Sequence, residues 1–373
     1  LKIASISIGD DGADFKQMLS NYASVTHFKI SEKATATEQA VLLNKLSKFN
    51  LVIASIHKSN SNPWKSYKIA RSADILLQSI ALQSKVIVSI FANPYSINSL
   101  LVTNNFDGLI LSYQNSKVAQ EQTAEAIFGG IAVNGKIPVT TKHFEIKSGL
   151  ETKSIRMRYT SPYEIGFNTD LLYKIDSIVE NAISQGAVPG CQILIAKDGN
   201  IFFNKSYGYH TYQNKIKVKN SDIYDIASIT KIAATLPILM KMVDDNSLDL
   251  DVRLGEYIDL DSTNKKDLII RDILSHQAGL IPWIPFYANT LTKDSISGTM
   301  SLRDTLYSDK ETSHCIYKVA ENIYLHKEYP DSMIQQILSS SLLEKKGYRY
   351  SDLGFYLFKK MIEEEYKEPL NKI

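Results

Sequence analysis

The chain has 373 residues and a mass of 41.9 kDa, room for two or three domains at about 150 residues each. Hydrophobic residues at 44% and charged residues at 22% exclude a disordered chain, and 42 basic against 40 acidic side chains leave a net charge of +2, which gives no electrostatic case for a nucleic-acid or anionic membrane partner. Two cysteines, Cys191 and Cys315, cannot build a disulfide framework or a cysteine zinc site, and no apolar run reaches the ~18 residues of a membrane span. The opening LKIASISIGDD has neither an initiator Met nor a signal peptide; it reads directly as a strand and is expected to have been cut from something longer.

Strand-like runs occur at Lys2–Ile8, Val25–Ile30, Leu51–Ile56, Lys85–Phe91 and Gly108–Leu111. Helical patterns lie between them at Phe15–Tyr22, Thr35–Leu46, Tyr67–Gln83 and Val118–Phe128. The runs LVIASI, VIVSIF and LILSY are nearly continuous in apolar residues, as a parallel sheet covered on both faces requires. Alternation of this kind predicts a doubly wound, mostly parallel α/β layer over residues 1–140. Asn134-Gly135 then reads as a turn before a last strand at Lys136–Val139.

The polar stretch from Thr140 to Pro162 lacks apolar periodicity and reads as a linker, placed at 141–165. A second domain, 166–373, starts with a helix over Leu171–Ser184 and a hairpin turning at Asp198-Gly199-Asn200, an α+β opening.

Asp225-Ile-Ala-Ser-Ile-Thr-Lys231 is the most informative segment, because Ser228 and Lys231 form an S-x-x-K pair that shares one face of a helix. Serine is a poor nucleophile until a base takes its proton, and a desolvated, neutral lysine is such a base. A helix N-terminus at the serine would add N–H groups for an oxyanion. The pattern alone is weak, since Ser55-Ile-His-Lys58 and Ser262-Thr-Asn-Lys265 repeat it; the first sits at a strand end and the second in a polar loop. Only Ser228 precedes a long apolar run, IAATLPILMKMV, within which Pro237 is expected to kink the helix.

Tyr350-Ser351-Asp352 stands before the helical run LGFYLFKKMIEEEY. Tyr350 is either a general base under the influence of cations or a packing residue ahead of a Ser351 or Asp352 helix cap. In LSHQAGL, His276 is either a base or ligand or a structural histidine, and Gly279 reads as a helix C-cap. No carboxylate pair, phosphate loop or metal-spaced histidine set stands out.

Taken in order, VPGCQILIAKDGNIFFNKSYGY, IYDIASITK, LIIRDILSHQAGL and YRYSDLGFYL resemble the class C β-lactamase and penicillin-binding-protein-like serine hydrolases. The resemblance implies Ser228 as the acylated nucleophile, Lys231 as its activator, Tyr350 as a partner in the base role, and His276 and Gly279 as parts of a structural loop. The sequence departs from that family in two ways. Asp352 stands where the family has Asn, and an ionised carboxylate accepts hydrogen bonds but donates none, which alters substrate contacts and the charge around Lys231. The family's third motif, a Lys or His followed by Ser/Thr and Gly on a later strand, has no counterpart before Ile373; Lys147-Ser148-Gly149 has the letters but precedes the serine and is set aside. The second domain is therefore expected to be an incomplete β-lactamase-like fold, which leaves open whether the piece itself is active or only its parent. An unfinished sheet edge invites pairing into a homo-oligomer.

VIVSIFANPYSI, LILSYQNSKVAQEQTAEAIFGGIAVNGKIPVT and YTSPYEIGF resemble the C-terminal α/β domain of family-three glycoside hydrolases, whose catalytic aspartate lies in a preceding barrel domain. Bacterial fusions of a β-N-acetylglucosaminidase with a β-lactamase-like domain carry both resemblances. These imply a cell-envelope hydrolase of the periplasm or outer envelope that acts on small-molecule or peptidoglycan-derived substrates without a metal or organic cofactor. Two rival expectations are a cell-wall-peptide binding module without turnover and a structural support for a glycosidase barrel.

Overall fold

The computed structural model describes residues 1–58, 67–260, 263–293, 298–344 and 347–373. The chain groups into two compact units, Leu1–Ile223 and Tyr224–Ile373.

In the first unit the strand and helix patterns become Ile3–Gly9 (β1), Ala13–Tyr22 (α1), Val25–Ile30 (β2), Ala36–Leu46 (α2), Leu51–His57 (β3), Arg71–Ala81 (α3), Lys85–Phe91 (β4), Gly108–Leu111 (β5) and Lys117–Phe128 (α4). The five strands are all parallel, in the order β2-β1-β3-β4-β5. β1, β3 and β4 are interior strands and almost wholly buried, which is why their sequences are apolar without alternation. Ala4, Ile6, Val52, Ala54, Val86 and Val88 face the packed side of α2 and α3. Ile3, Ile53 and Phe91 meet Phe15 and Leu19 of α1 and Ala124 of α4 on the other face. Helices thus cover both sides, and the N-terminal region is a doubly wound α/β layer.

Two segments differ from the sequence pattern. α3 begins at Arg71 rather than Tyr67: Ala70 is itself extended (ψ 145°), and its N–H is taken by Glu32 Oε1 at 2.9 Å. Lys136–Val139 is not a strand of the sheet. Ile137 instead exchanges backbone hydrogen bonds with Ser148 and Lys147 (2.9 and 2.8 Å) and buries its side chain in the core, so the apolar IPV run plugs the layer instead of extending it. The polar stretch that follows is anchored to the layer, with Thr152 N–H on Val133 O, Ile155 N–H on Gly129 O and the Tyr159 hydroxyl on Asn21 O.

Arg158–Tyr159 (β6), Tyr173–Ser184 (α5), Gly190–Lys197 (β7) and Asn200–Gly208 (β8) complete the first unit, with the strands ordered β6-β8-β7. The β7–β8 turn places Asp198 at φ 50° and Gly199 at φ 75°, both left-handed, as the tight hairpin turn of a right-twisted pair demands. A methyl group on Gly199 would meet nothing within 4 Å, so only backbone strain opposes it. Gly199→Ala is accordingly expected to cost about 1 kcal/mol, read as a lowered urea midpoint.

The second unit holds Leu236–Asp244 (α6), Ile270–Leu274 (α7), Leu291–Lys293 (β9) paired with Met300–Leu302 (β10), and Tyr307–Ser308 (β11), Cys315–Ala320 (β12) and Ile323–His326 (β13) in the order β11-β13-β12; Tyr329–Ser339 (α8) and Leu353–Tyr366 (α9) end it. Leu239 and Met242 of α6, Ile270 and Ile273 of α7, Ile337 of α8 and Leu353, Leu357, Phe358 and Met361 of α9 form one buried cluster. A Cβ on Gly354 would lie 2.3 Å from Ile273 Cγ2. That glycine lets the start of α9 press against α7, and this contact builds the site described next.

Candidate active site

Ser228 lies in a run of tight turns that leads into α6. The N–H groups of Ile229, Thr230 and Lys231 each reach back three residues, to Ile226, Ala227 and Ser228, at 2.9–3.1 Å. Ala227, immediately before the serine, is held at φ 43°, a left-handed conformation that costs a non-glycine residue roughly 1–2 kcal/mol. Its N–H is fixed by Asp225 Oδ1 at 2.7 Å. Lys231–Thr235 then forms a single wide turn in which the Leu236 N–H bonds Lys231 O. Pro237 falls in the first turn of α6, where its missing N–H is no loss, so the wide turn takes up the distortion expected as a kink.

Four side chains from two distant segments converge. Lys231 Nζ donates to Ser228 Oγ at 3.1 Å, and the Tyr350 hydroxyl, 122 residues on in sequence, donates to the same oxygen at 2.8 Å. Asp352 Oδ1 accepts from Lys231 Nζ at 2.6 Å. The ammonium also sits 5.4 Å from the Tyr350 ring centroid and 5.6 Å from that of Phe355, within reach of a cation–π attraction. Ser228, Lys231 and Tyr350 open onto a cavity of about 370 Å³ with apolar walls from Ile232, Leu274 and Phe355.

The charge state of Lys231 differs from the expectation of a desolvated, neutral amine. Burial pushes its pKa down, but the hydrogen bonds to Asp352 and Tyr350 and the charge of Asp352 outweigh burial, and the net shift is upward. Lys231 is therefore an ammonium at neutral pH. Asp352 can play this part because it is not spent on capping α9; Ser351 Oγ does that, accepting from the Leu353 N–H at 3.2 Å and donating to Ile281 O at 2.7 Å.

His276 follows α7, which ends at Leu274. The left-handed residue next to the helix end is His276 itself, at φ 58°, while Gly279, read from sequence as the cap, makes a later turn at φ 77°. The His276 ring lies 4.5 Å from the Tyr350 ring, a contact that the sequence motifs alone did not signal.

The two other S-x-x-K copies make no comparable arrangement. Ser55 Oγ bonds His57 Nε2 at 2.9 Å, and Lys58 pairs with Glu32. His57 Nδ1 in turn meets Asn115 Oδ1 at 2.8 Å, but Ser55 is fully buried, and this serine–histidine–asparagine chain is closed to any substrate. Ser262 lies outside the described residues, and Lys265 is fully buried, donating to Asn264 Oδ1 at 2.7 Å and to the Ser340 carbonyl. Among the described residues no group of three or more His, Cys, Asp or Glu side chains is placed to hold a metal, and no helix is long and apolar enough to cross a membrane.

A half-buried ammonium and a tyrosine hydroxyl converging on one serine is an arrangement suited to serine acyl-hydrolase chemistry. A family profile described as Beta-lactamase matches residues 175–373, more than half of the chain, and the chain belongs to that family of serine hydrolases. It is 32% identical over 115 residues to Protein flp of Staphylococcus aureus (strain NCTC 8325 / PS 47), a match covering 30% of this chain and 23% of flp. It is 30% identical over 210 residues to a putative D-alanyl-D-alanine carboxypeptidase of Salmonella paratyphi B (strain ATCC BAA-1250 / SPB7), covering 52% of this chain and 47% of that protein. The chain thus spans less than half the length of these curated relatives. A solved family-three β-N-acetylglucosaminidase from Paenibacillus sp. str. FPU-7 aligns at 18% identity with a TM-score of 0.28, over 35% of this chain and 26% of that one; so small a similarity does not assign the first unit to that family.

Proposed function

We propose that the site around Ser228 is that of a serine acyl hydrolase that works through an acyl-enzyme. The observation that carries this reading is the convergence of Lys231 and Tyr350 on Ser228 Oγ. In the proposed reaction the Tyr350 oxygen, after giving up its own proton, takes the serine proton as Oγ attacks the carbonyl carbon of an ester or amide. It returns that proton to the leaving group when the acyl–heteroatom bond breaks. Water then attacks the acyl carbon with Tyr350 again accepting a proton, and that proton passes to Ser228 Oγ as the acyl–Oγ bond breaks and the acid leaves. Lys231, held charged by Asp352, balances negative charge on the phenolate and on Oγ. Asp352 would also face the substrate, accepting hydrogen bonds from it.

The finer reading rests on the sequence resemblances. Residues 1–140 would be the accessory α/β domain of a β-N-acetylglucosaminidase, 141–165 a linker, and 166–373 the acyl-hydrolase domain of a cell-envelope protein acting on peptidoglycan fragments. One observation favours a second reading, a binding module without turnover: the tight Lys231–Asp352 pair removes the amine as a base.

Intact-mass analysis after exposure to a fluorophosphonate probe tests the main reading. The expected result is one adduct, mapped to the peptide containing Ser228. No adduct, with muropeptides still bound in calorimetry, would establish the binding module instead.

A further inference from the structure

We propose that His276 is a positioning residue: it clamps the backbone on both sides of Tyr350 and so aims the phenol at Ser228. The inference rests on the acyl-hydrolase reading of the site and adds to it the group that sets the aim of the base.

Two hydrogen bonds make the clamp. The carbonyl of His276 accepts from the Arg349 N–H at 2.8 Å, and its Nδ1 accepts from the Ser351 N–H at 3.3 Å. The residue between those two donors is Tyr350, and the imidazole lies against its ring with centroids 4.5 Å apart. Backbone is therefore held before and after the tyrosine, while its ring is held from the side. Phe355 supports the imidazole from α9 at 5.9 Å and Tyr348 edges against it at 6.2 Å. The left-handed backbone of His276, at φ 58°, is what points its carbonyl and its side chain at the same short segment.

An imidazole that accepts at Nδ1 must carry its proton on Nε2 and be neutral. The surroundings favour that form. Burial lowers the His276 pKa first and the Lys231 ammonium lowers it further, against smaller opposing effects of Asp352 and of the Ser351 contact. The titratable groups around the ring are thus Lys231 before α6, Asp352 ahead of α9, and the tyrosines at 348 and 350. Protonation below the ordinary histidine range would turn Nδ1 from an acceptor into a donor facing another donor. The clamp would open on that side and the phenol would lose its aim.

Asparagine suits a left-handed position and can offer Oδ1 where Nδ1 stood, whereas phenylalanine keeps the ring but offers no acceptor. The test follows fluorophosphonate labelling of Ser228 across pH 4–9 in the native chain, in His276→Asn and in His276→Phe, with thermal melting of each as a control. His276→Phe is expected to lower the maximal labelling rate by about 10- to 100-fold, the penalty of a misplaced catalytic group, with the half-saturating probe concentration nearly unchanged. His276→Asn is expected to recover most of the rate and to lose the acid-side fall-off that the native chain shows below its histidine titration. Equal rates in both variants and an unchanged acid limb would overturn the proposal. So would a phenylalanine variant that differs only in probe affinity. Failure of the underlying reading is distinguishable, because the native chain would then not label at Ser228 at all.

Discussion

Tyr350→Phe is expected to slow acylation of Ser228 by about a thousandfold, within the range that a positioned general base supplies. Ser228→Ala is expected to abolish the adduct altogether. The argument for so large an effect from one oxygen atom comes from what surrounds Ser228 Oγ. Its two hydrogen-bond neighbours are Lys231 Nζ at 3.1 Å and the Tyr350 hydroxyl at 2.8 Å. Asp352 holds the first as an ammonium, which has protons to give but no lone pair to take one. The phenol oxygen is left as the acceptor for the serine proton. Phenylalanine keeps the ring packing against His276 and the cation–π contact to Lys231, so the substitution removes the acceptor and little else. The check is the time course of fluorophosphonate labelling for native, Tyr350→Phe and Ser228→Ala chains, with melting temperatures to show that all three fold. Native-like labelling of Tyr350→Phe would mean that the proton leaves by another route and would remove Tyr350 from the mechanism.

The α/β layer was legible because burial on both faces of β1, β3 and β4 forces unbroken apolar runs, a pattern that survives in one sequence. The same logic misled at Lys136–Val139, since an apolar run that plugs a core looks like one that joins a sheet; only the partners of the Ile137 backbone tell them apart. In the second unit, Ser228 and Lys231 were legible as a local pair, and Tyr350 through the order of the segments. What the sequence did not disclose is long-range. The charge on Lys231 is decided by a carboxylate 121 residues away. The contact between His276 and Tyr350 depends on α9 approaching α7 closely at Gly354. Neither follows from spacing along the chain, because both are set by how helices pack.

Asp352→Asn separates the structural from the electrostatic part of that long-range pairing. The two side chains are nearly the same shape, and because Ser351 caps α9 the helix keeps its N-terminal bond. The change is therefore one of charge. Without the carboxylate, burial, already the largest single influence on the amine, pushes the Lys231 pKa down unopposed by its main partner. The amine then gives up its proton more readily, so the pH at which labelling switches on is expected to move downward, with a faster reaction on the rising limb. Stability changes in the opposite sense. A lysine whose folded pKa is raised contributes stability in full below the ordinary value of 10.5 and loses it as pH climbs through the folded value. The native chain should therefore lose stability in strong alkali through this group, and Asp352→Asn should be less stable at neutral pH and lack that alkaline loss. Labelling rates and melting temperatures measured across pH 6–11 read both signs. An activation limb that stays in place or moves upward would show that Asp352 does not set the charge of the site.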